Sequence, residues 1–208
     1  MKNMKRRKAF TLIELLIVIA IIGLMAGLLM PTISNAMKSV RKSSSKNFMT
    51  QLASAIENYK AEYGYYPQFL TEKNRVNLAD GSNTENLVKA LTGKNIDGTS
   101  LSTADRNKYN RRMQKFFEFG NDYLVKMGDS WKVVDAFKNP NIYVCIDTNG
   151  IITTGFPTVS DGIPQDLAKD LVKENRIRKN VILFTLKKDA SKASGNDFYE
   201  AEDVFTWY

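Results

Sequence analysis

From Phe10 to Met30 the chain is apolar at almost every position, and from Ile33 onward apolar residues recur mostly at spacings of three and four. The first run is long enough for about 30 Å of helix at 1.5 Å per residue, the thickness of a bilayer's hydrocarbon core. The second pattern, Ile33, Met37, Val40, Phe48, Leu52, Ile56, Tyr59 and Tyr63, has the period of an amphipathic helix with one buried stripe. One long helix is predicted from about Thr11 to Glu62. Pro31 ends the uninterrupted apolar run but need not end the helix, since an interior proline commonly kinks it. Gly64 supplies the stop, and Pro67 pushes Tyr66 towards extended angles. The tyrosines of "YGYYP" are expected to pack on the long helix, with an exposed aromatic strip as the alternative.

Beyond this point the pattern shortens. In "SNTENLVKALTGKN" Ser82 and Glu85 have capping-box spacing, Leu87, Val88 and Leu91 give an apolar side and Gly93 closes a short helix. The polar stretch from Ile96 to Phe119 reads as a loop with a turn of helix. "WKVVDAF", "NIYVCID", "GIITTG" and "NVILFTL" are rich in β-branched and aromatic residues and are separated by turn formers, so they read as strands. The pieces 141–147 and 151–154 flank "TNG" and are expected to form a hairpin. "PQDLAKDLVKENR" adds a short surface helix. The expected fold class is α+β: a long N-terminal helix, membrane-spanning in its first half and amphipathic in its second, packed on a small antiparallel β-sheet head. Its segments are 1–9, 10–30, 31–63 and a head at 64–208.

The net charge of +8 suggests a nucleic-acid partner until its location is considered. Lys2, Lys5, Arg6, Arg7 and Lys8 precede the apolar run, and Lys38, Arg41, Lys42 and Lys46 follow it; 21 basic and 21 acidic residues remain from Asn47 onward. The neutral head argues against nucleic acid. Within it Arg106, Lys108, Arg111, Arg112 and Lys115 cluster around Tyr109, a face that reads as solvated sooner than as a phosphate contact. The chain has no histidine and one cysteine, Cys145, which excludes a Cys/His zinc cluster, a histidine-based triad and an intrachain disulfide. Cys145 lies in an apolar string and reads as a buried, inert thiol. No nucleophile with a base, paired catalytic carboxylates or phosphate-binding loop stands out, so no enzymatic role is expected.

Glu14 is the one acidic residue in the apolar run. The run is longer than the apolar part of a cleaved signal peptide, and a plain anchor leaves the carboxylate unexplained, because an ionisable group in hydrocarbon costs about 2.5–3.5 kcal/mol at a helix centre, less near the surface. The basic residues ahead of the run predict a cytoplasmic N-terminus.

"KAFTLIELLIVIAIIGLMAGLLMP" resembles the N-terminal segment of type IV pilins and type II secretion pseudopilins. The resemblance implies a leader at Met1–Ala9, cleavage by a prepilin peptidase between Ala9 and Phe10, and methylation of the new amine. Ala9 stands where the family usually has glycine. Glu14 is then the family's glutamate at the fifth mature position, and the Phe10 amine of a neighbouring subunit is its cation, an attraction that strengthens as water is excluded. Phe10, Glu14 and Pro31 become the assembly residues, and Gly23, Gly27 and Pro31 the places where the helix loosens in a filament. Implied partners are further copies, sibling pilins, the peptidase and its N-methyltransferase, the membrane before assembly and an inner-membrane assembly platform. The implied location is the bacterial inner membrane, with the head outside the cytoplasm, and afterwards a filament.

"YYP", "TENLVKALTG", "FFEF", "VVDAFKNPNIYVCIDTNG" and "EAEDVFTWY" resemble, in order, the heads of pseudopilins similar to the major subunit of type II secretion. In such heads a closing loop binds calcium. The matching positions here are Thr185, Lys187, Asp189, Ala190, Glu202, Asp203 and Trp207, which makes Asp189, Glu202 and Asp203, with nearby Asp197, the candidate ligands. Both loop glycines are replaced, and Lys187 and Lys188 oppose a cation; the alternative is a solvated loop held by Val204, Phe205 and Trp207. "DTNG" lacks the spacing of an EF-hand loop and reads as a turn. Two rival functions stay open: a minor or DNA-uptake pilin, and a membrane-anchored binding module or enzyme with a pilin-like anchor.

Overall fold

The computed structural model describes residues 11–80, 82–172, 176–186 and 203–208. Helix α1 runs from Leu12 to Tyr63, through Pro31 without interruption, so its observed ends match the predicted ones closely. Gly64 ends it in the left-handed conformation, φ 81°, with its N–H on the Lys60 carbonyl at 2.7 Å. This is the closure that glycine makes at low cost.

The chain divides into two compact units, Met1–Val40 and Arg41–Tyr208. In the first, the described large apolar side chains are exposed. In the second, Ser45, Phe48, Met49, Leu52, Ala55, Ile56 and Tyr59 are buried at the three-and-four spacing of a single helix face. The stripe expected to begin at Ile33 therefore starts at Ser45, because Ile33, Met37 and Val40 belong to the unit whose apolar surface is uncovered.

After α1 come α2 (Gln68–Thr71), β1 (Val76–Asn77), α3 (Asn83–Thr92) and α4 (Thr103–Tyr109). Then follow β2 (Leu124–Met127), β3 (Ser130–Val133), β4 (Tyr143–Ile146), a 3-10 turn (Val159–Asp161), α5 (Gln165–Leu171), β5 (Val181–Thr185) and β6 (Val204–Phe205). The main sheet has the order β1-β4-β5-β6 with every pairing antiparallel, and β2 and β3 form a separate hairpin. The fold is α+β, as expected.

Alternation along β4 and β5 explains why both sheet faces are dry. Val144, Val181, Leu183 and Val204 join the core built on the second half of α1, while Cys145, Ile182, Phe184 and Phe205 point to a second core with Ile152, Ile163, Leu171 and Ile177. Tyr66 is buried, Tyr63 packs on Tyr59, and Tyr65, though exposed, sets its ring 6.2 Å from that of Tyr59 and 6.0 Å from that of Tyr63, so the tyrosines pack on the helix as expected. Helix α3 begins after Ser82 as predicted, but Ser82 gives no side-chain cap; its hydroxyl instead accepts from the Asn86 amide at 3.3 Å. Gly93 closes α3 with φ 68°, and a Cβ there would lie 2.8 Å from the Met113 backbone.

The predicted hairpin between 141–147 and 151–154 does not form. Strand β4 pairs with β1 and β5, and Ile152 makes only an isolated bridge to Ile177. The reason is burial: β5 brings five fully buried side chains to the sheet, whereas in Ile151–Thr154 only Ile152 is buried. The turn after β4 also carries the chain to Gly155, whose Cβ position would be 3.0 Å from Cys145 Sγ, across a sheet face instead of along its edge.

Candidate functional site

The start of α1 is organised by Thr11 and Glu14. Glu14 Oε2 accepts from the Thr11 backbone N–H at 2.8 Å and from its hydroxyl at 2.7 Å, and Thr11 Oγ1 accepts from the Glu14 N–H at 3.3 Å. This is a reciprocal capping box, satisfying donors that a helix start leaves without intrahelical partners. The apolar run holds no cation for the carboxylate; its hydrogen bonds come from Thr11, and T-x-x-E is the sequence signal for them.

Behind this box, thirteen large apolar side chains between Leu12 and Leu29 are exposed, and those from Leu12 to Val18 each expose 45% or more. At about 1.5–3 kcal/mol for each such side chain, leaving the segment in water forgoes on the order of 20 kcal/mol. The helix is long and apolar enough to cross a membrane, and oil or other apolar helices are the surroundings it suits. Around Gly23 and Gly27 nothing lies within 4 Å of an added Cβ. Pro31 is helical in its backbone, and its side chain lies outside the described residues, as do Ala9 and Phe10.

In the head, the sequence did not single out Asp135, yet its carboxylate is fully buried where three elements meet. Oδ1 accepts from the Phe137 and Asn139 N–H groups at 2.8 and 2.9 Å, and Oδ2 from the Thr185 hydroxyl at 3.3 Å. Ser45 of α1 adds a further bond to the carboxylate, and its hydroxyl accepts from the Ala136 N–H at 3.0 Å. Burial pushes Asp135 up to about 6, against the opposing effect of these bonds. The readable signal was "DAFKN", in which an aspartate turns back on the amides two and four residues ahead.

Cys145 is buried as expected, and burial pushes its thiol up to about 12 despite the nearby Arg75 cation. It is a packing residue of the second core. Of the basic cluster, Arg112 pairs with Glu62 and Lys115 with Glu118, and the Lys108 ammonium lies 5.0 Å from the Tyr109 ring centre. Of the candidate calcium ligands, Asp189, Asp197 and Glu202 lie outside the described residues. Asp203 stands directly before β6; Thr185 is buried and committed to Asp135, and Trp207 Nε1 donates to the Leu171 carbonyl at 2.8 Å. Among the described residues no group of three or more His, Cys, Asp or Glu is placed to hold a metal ion.

The described residues thus combine an exposed apolar helix, opened by a T-x-x-E box, with an α+β head. Residues 4–30 match the prokaryotic N-terminal methylation motif. The chain is similar to type II secretion system core protein G of Pectobacterium carotovorum subsp. carotovorum, 23% identical over 158 residues that cover 76% of this chain and 83% of that protein. Together the motif and this relative support the pilin and pseudopilin family for the chain. No solved structure matches it significantly.

Proposed function

We propose that the chain is a structural subunit of a type II secretion pseudopilus or a type IV pilus-like filament. It is made as an inner-membrane precursor with a cytoplasmic leader, cut between Ala9 and Phe10 by a prepilin peptidase, methylated on the new amine, and assembled through α1 with copies of itself and sibling subunits on a membrane platform. The observation that carries this reading is the exposed apolar helix with its single carboxylate at the capped start. Glu14 uses Oε2 for both Thr11 bonds, and a carboxylate offers about four lone-pair sites. It is therefore able to cap its own helix and receive a neighbour's Phe10 amine in the same state. The helix start also carries the positive end of the backbone dipole, which favours an anionic side chain there.

The test is mass spectrometry of the protein from cells together with electron microscopy of sheared filaments. A mature chain starting at N-methylated Phe10, present in filaments, is the expected result. Functional protein that keeps Met1 would overturn the proposal.

A further inference from the structure

We propose that the cleft beside α2 and the start of α3 binds a neutral oligosaccharide built of flat, equatorially substituted sugar rings. The cleft has a volume of about 320 Å³, and its lining includes Phe69, Glu72, Asp80 and Asn83. That volume lies at the lower end of the ~300–1,000 Å³ that small-molecule sites occupy, but such sites are mostly apolar and this one is mostly polar. A second cleft, of about 190 Å³, shares Phe69, Glu72 and Asn83 with the first and reaches Asn86 of α3. Linked units of one ligand can therefore occupy both.

Part of the wall is already committed. Arg75 pairs with Asp161 at 3.2 Å and stands 5.0 Å from the centre of the Tyr143 ring, which also stacks on Phe184 at 5.2 Å. Asn77 accepts from the Ala79 N–H and donates to Asn141. What the fold leaves unspent is a set of acceptors. Among the described residues the Glu72 and Asp80 carboxylates make no hydrogen bond or ion pair. Asn83 donates its amide to the Asn77 carbonyl at 2.8 Å and keeps its side-chain oxygen. Phe69, where the two clefts meet, has no ring or cation of the described residues against its face. Unspent acceptors suit a ligand that brings hydrogens, and a hydroxyl both donates and accepts. The carboxylates alone would suit a cation, but Lys73 and Arg75 line the same cleft and oppose one. A neutral polyol meets both signs. The negative face of the Phe69 ring attracts C–H groups, and a sugar ring with equatorial hydroxyls presents them as a flat surface.

The experiment titrates cellotetraose, a neutral β-linked chain of glucose rings, against the full chain in a detergent without a sugar headgroup, followed by saturation-transfer NMR. Magnetisation should reach the ring C–H protons of the sugar and persist in high salt, since the ligand carries no charge to screen. Maltotetraose, whose axial linkages bend the chain, should receive less. E72A/D80A removes both exposed carboxylates and should weaken binding about tenfold or more, with the melting temperature of the wild-type chain. Phe69→Leu keeps an apolar side chain at this partly buried position, removes the flat face and should also weaken binding. Glu57→Gln, at an exposed position of α1, should leave binding unchanged. No transfer to either sugar at millimolar concentration, equal transfer in the wild-type and E72A/D80A chains, or tighter binding of spermine than of cellotetraose would overturn the proposal.

Discussion

Thr11 and Glu14 hold each other at the first turn of α1: the Thr11 amide and hydroxyl both donate to one carboxylate oxygen, and the Thr11 hydroxyl accepts the Glu14 amide in return. The acidic residue of the apolar segment thus has a structural task within its own helix. Its charge and its capping role can be separated by chemistry.

Glutamine keeps a side-chain oxygen for the Thr11 amide and discards the charge. Glu14→Gln should therefore insert normally and keep its helix start, while filament yield in a shearing assay falls as far as in Glu14→Ala. Thr11→Ala removes the hydroxyl of the box and should cost about 1 kcal/mol of helix-start stability, read by amide hydrogen exchange, with filaments still formed. Full assembly by Glu14→Gln would show that hydrogen bonding, not charge, is what the neighbour requires.

Asp135 gives stability a pH dependence of definite sign. Its folded value is raised from the ordinary carboxylate value of 3.8 to about 6 by burial, so the folded state holds the proton more tightly than the unfolded state. The contribution is greatest below about pH 4 and is lost as pH rises through about 6. The full swing is on the order of 3 kcal/mol. Thermal melts in detergent from pH 4 to 7 should show this slope, and Asp135→Asn should flatten it, since the amide does not titrate. A variant with the same slope as wild type would assign the dependence to other groups.

Ser45 joins α1 to the Asp135 turn from inside the core, accepting the Ala136 N–H. Ser45→Ala leaves that partly buried donor without its partner and should destabilise the head by about 1–3 kcal/mol in urea unfolding. Ser43→Ala, at an exposed position of the same helix, serves as the comparison and should change stability by less than about 0.5 kcal/mol.

Gly64 and Gly93 share positive φ and differ in surroundings: the first has nothing within 4 Å of an added Cβ, and the second meets the Met113 backbone at 2.8 Å. Gly64→Ala should cost only the conformational strain, on the order of 1 kcal/mol. Gly93→Ala must also displace the turn at Met113, and its loss should be clearly larger in the same unfolding measurement.

Cys145, buried and with its thiol pushed to about 12, should resist iodoacetamide at pH 7.5 in the folded chain and react once denaturant is added, because the thiolate is the reactive form. Rapid labelling of the folded protein would contradict its place in the second core.

The amino-acid sequence alone determined the parts whose causes are local. The apolar run, the three-and-four spacing and Gly64 set the long helix and its end, since helix bonds join residues four apart and a glycine stop acts on its own turn. The Thr11–Glu14 box was equally legible as T-x-x-E, although its meaning emerged only when the carboxylate was seen closing on the amide. Tertiary structure decided the rest. Strand β4 takes β5 as its partner and leaves Ile151–Thr154 aside because β5 buries more surface, a comparison between distant segments that no local pattern contains. The same is true of Asp135, which becomes a buried, proton-holding group only where Ser45 of α1 and Thr185 of β5 converge on it. Desolvation is a property of that meeting place and is not written into any one stretch of chain.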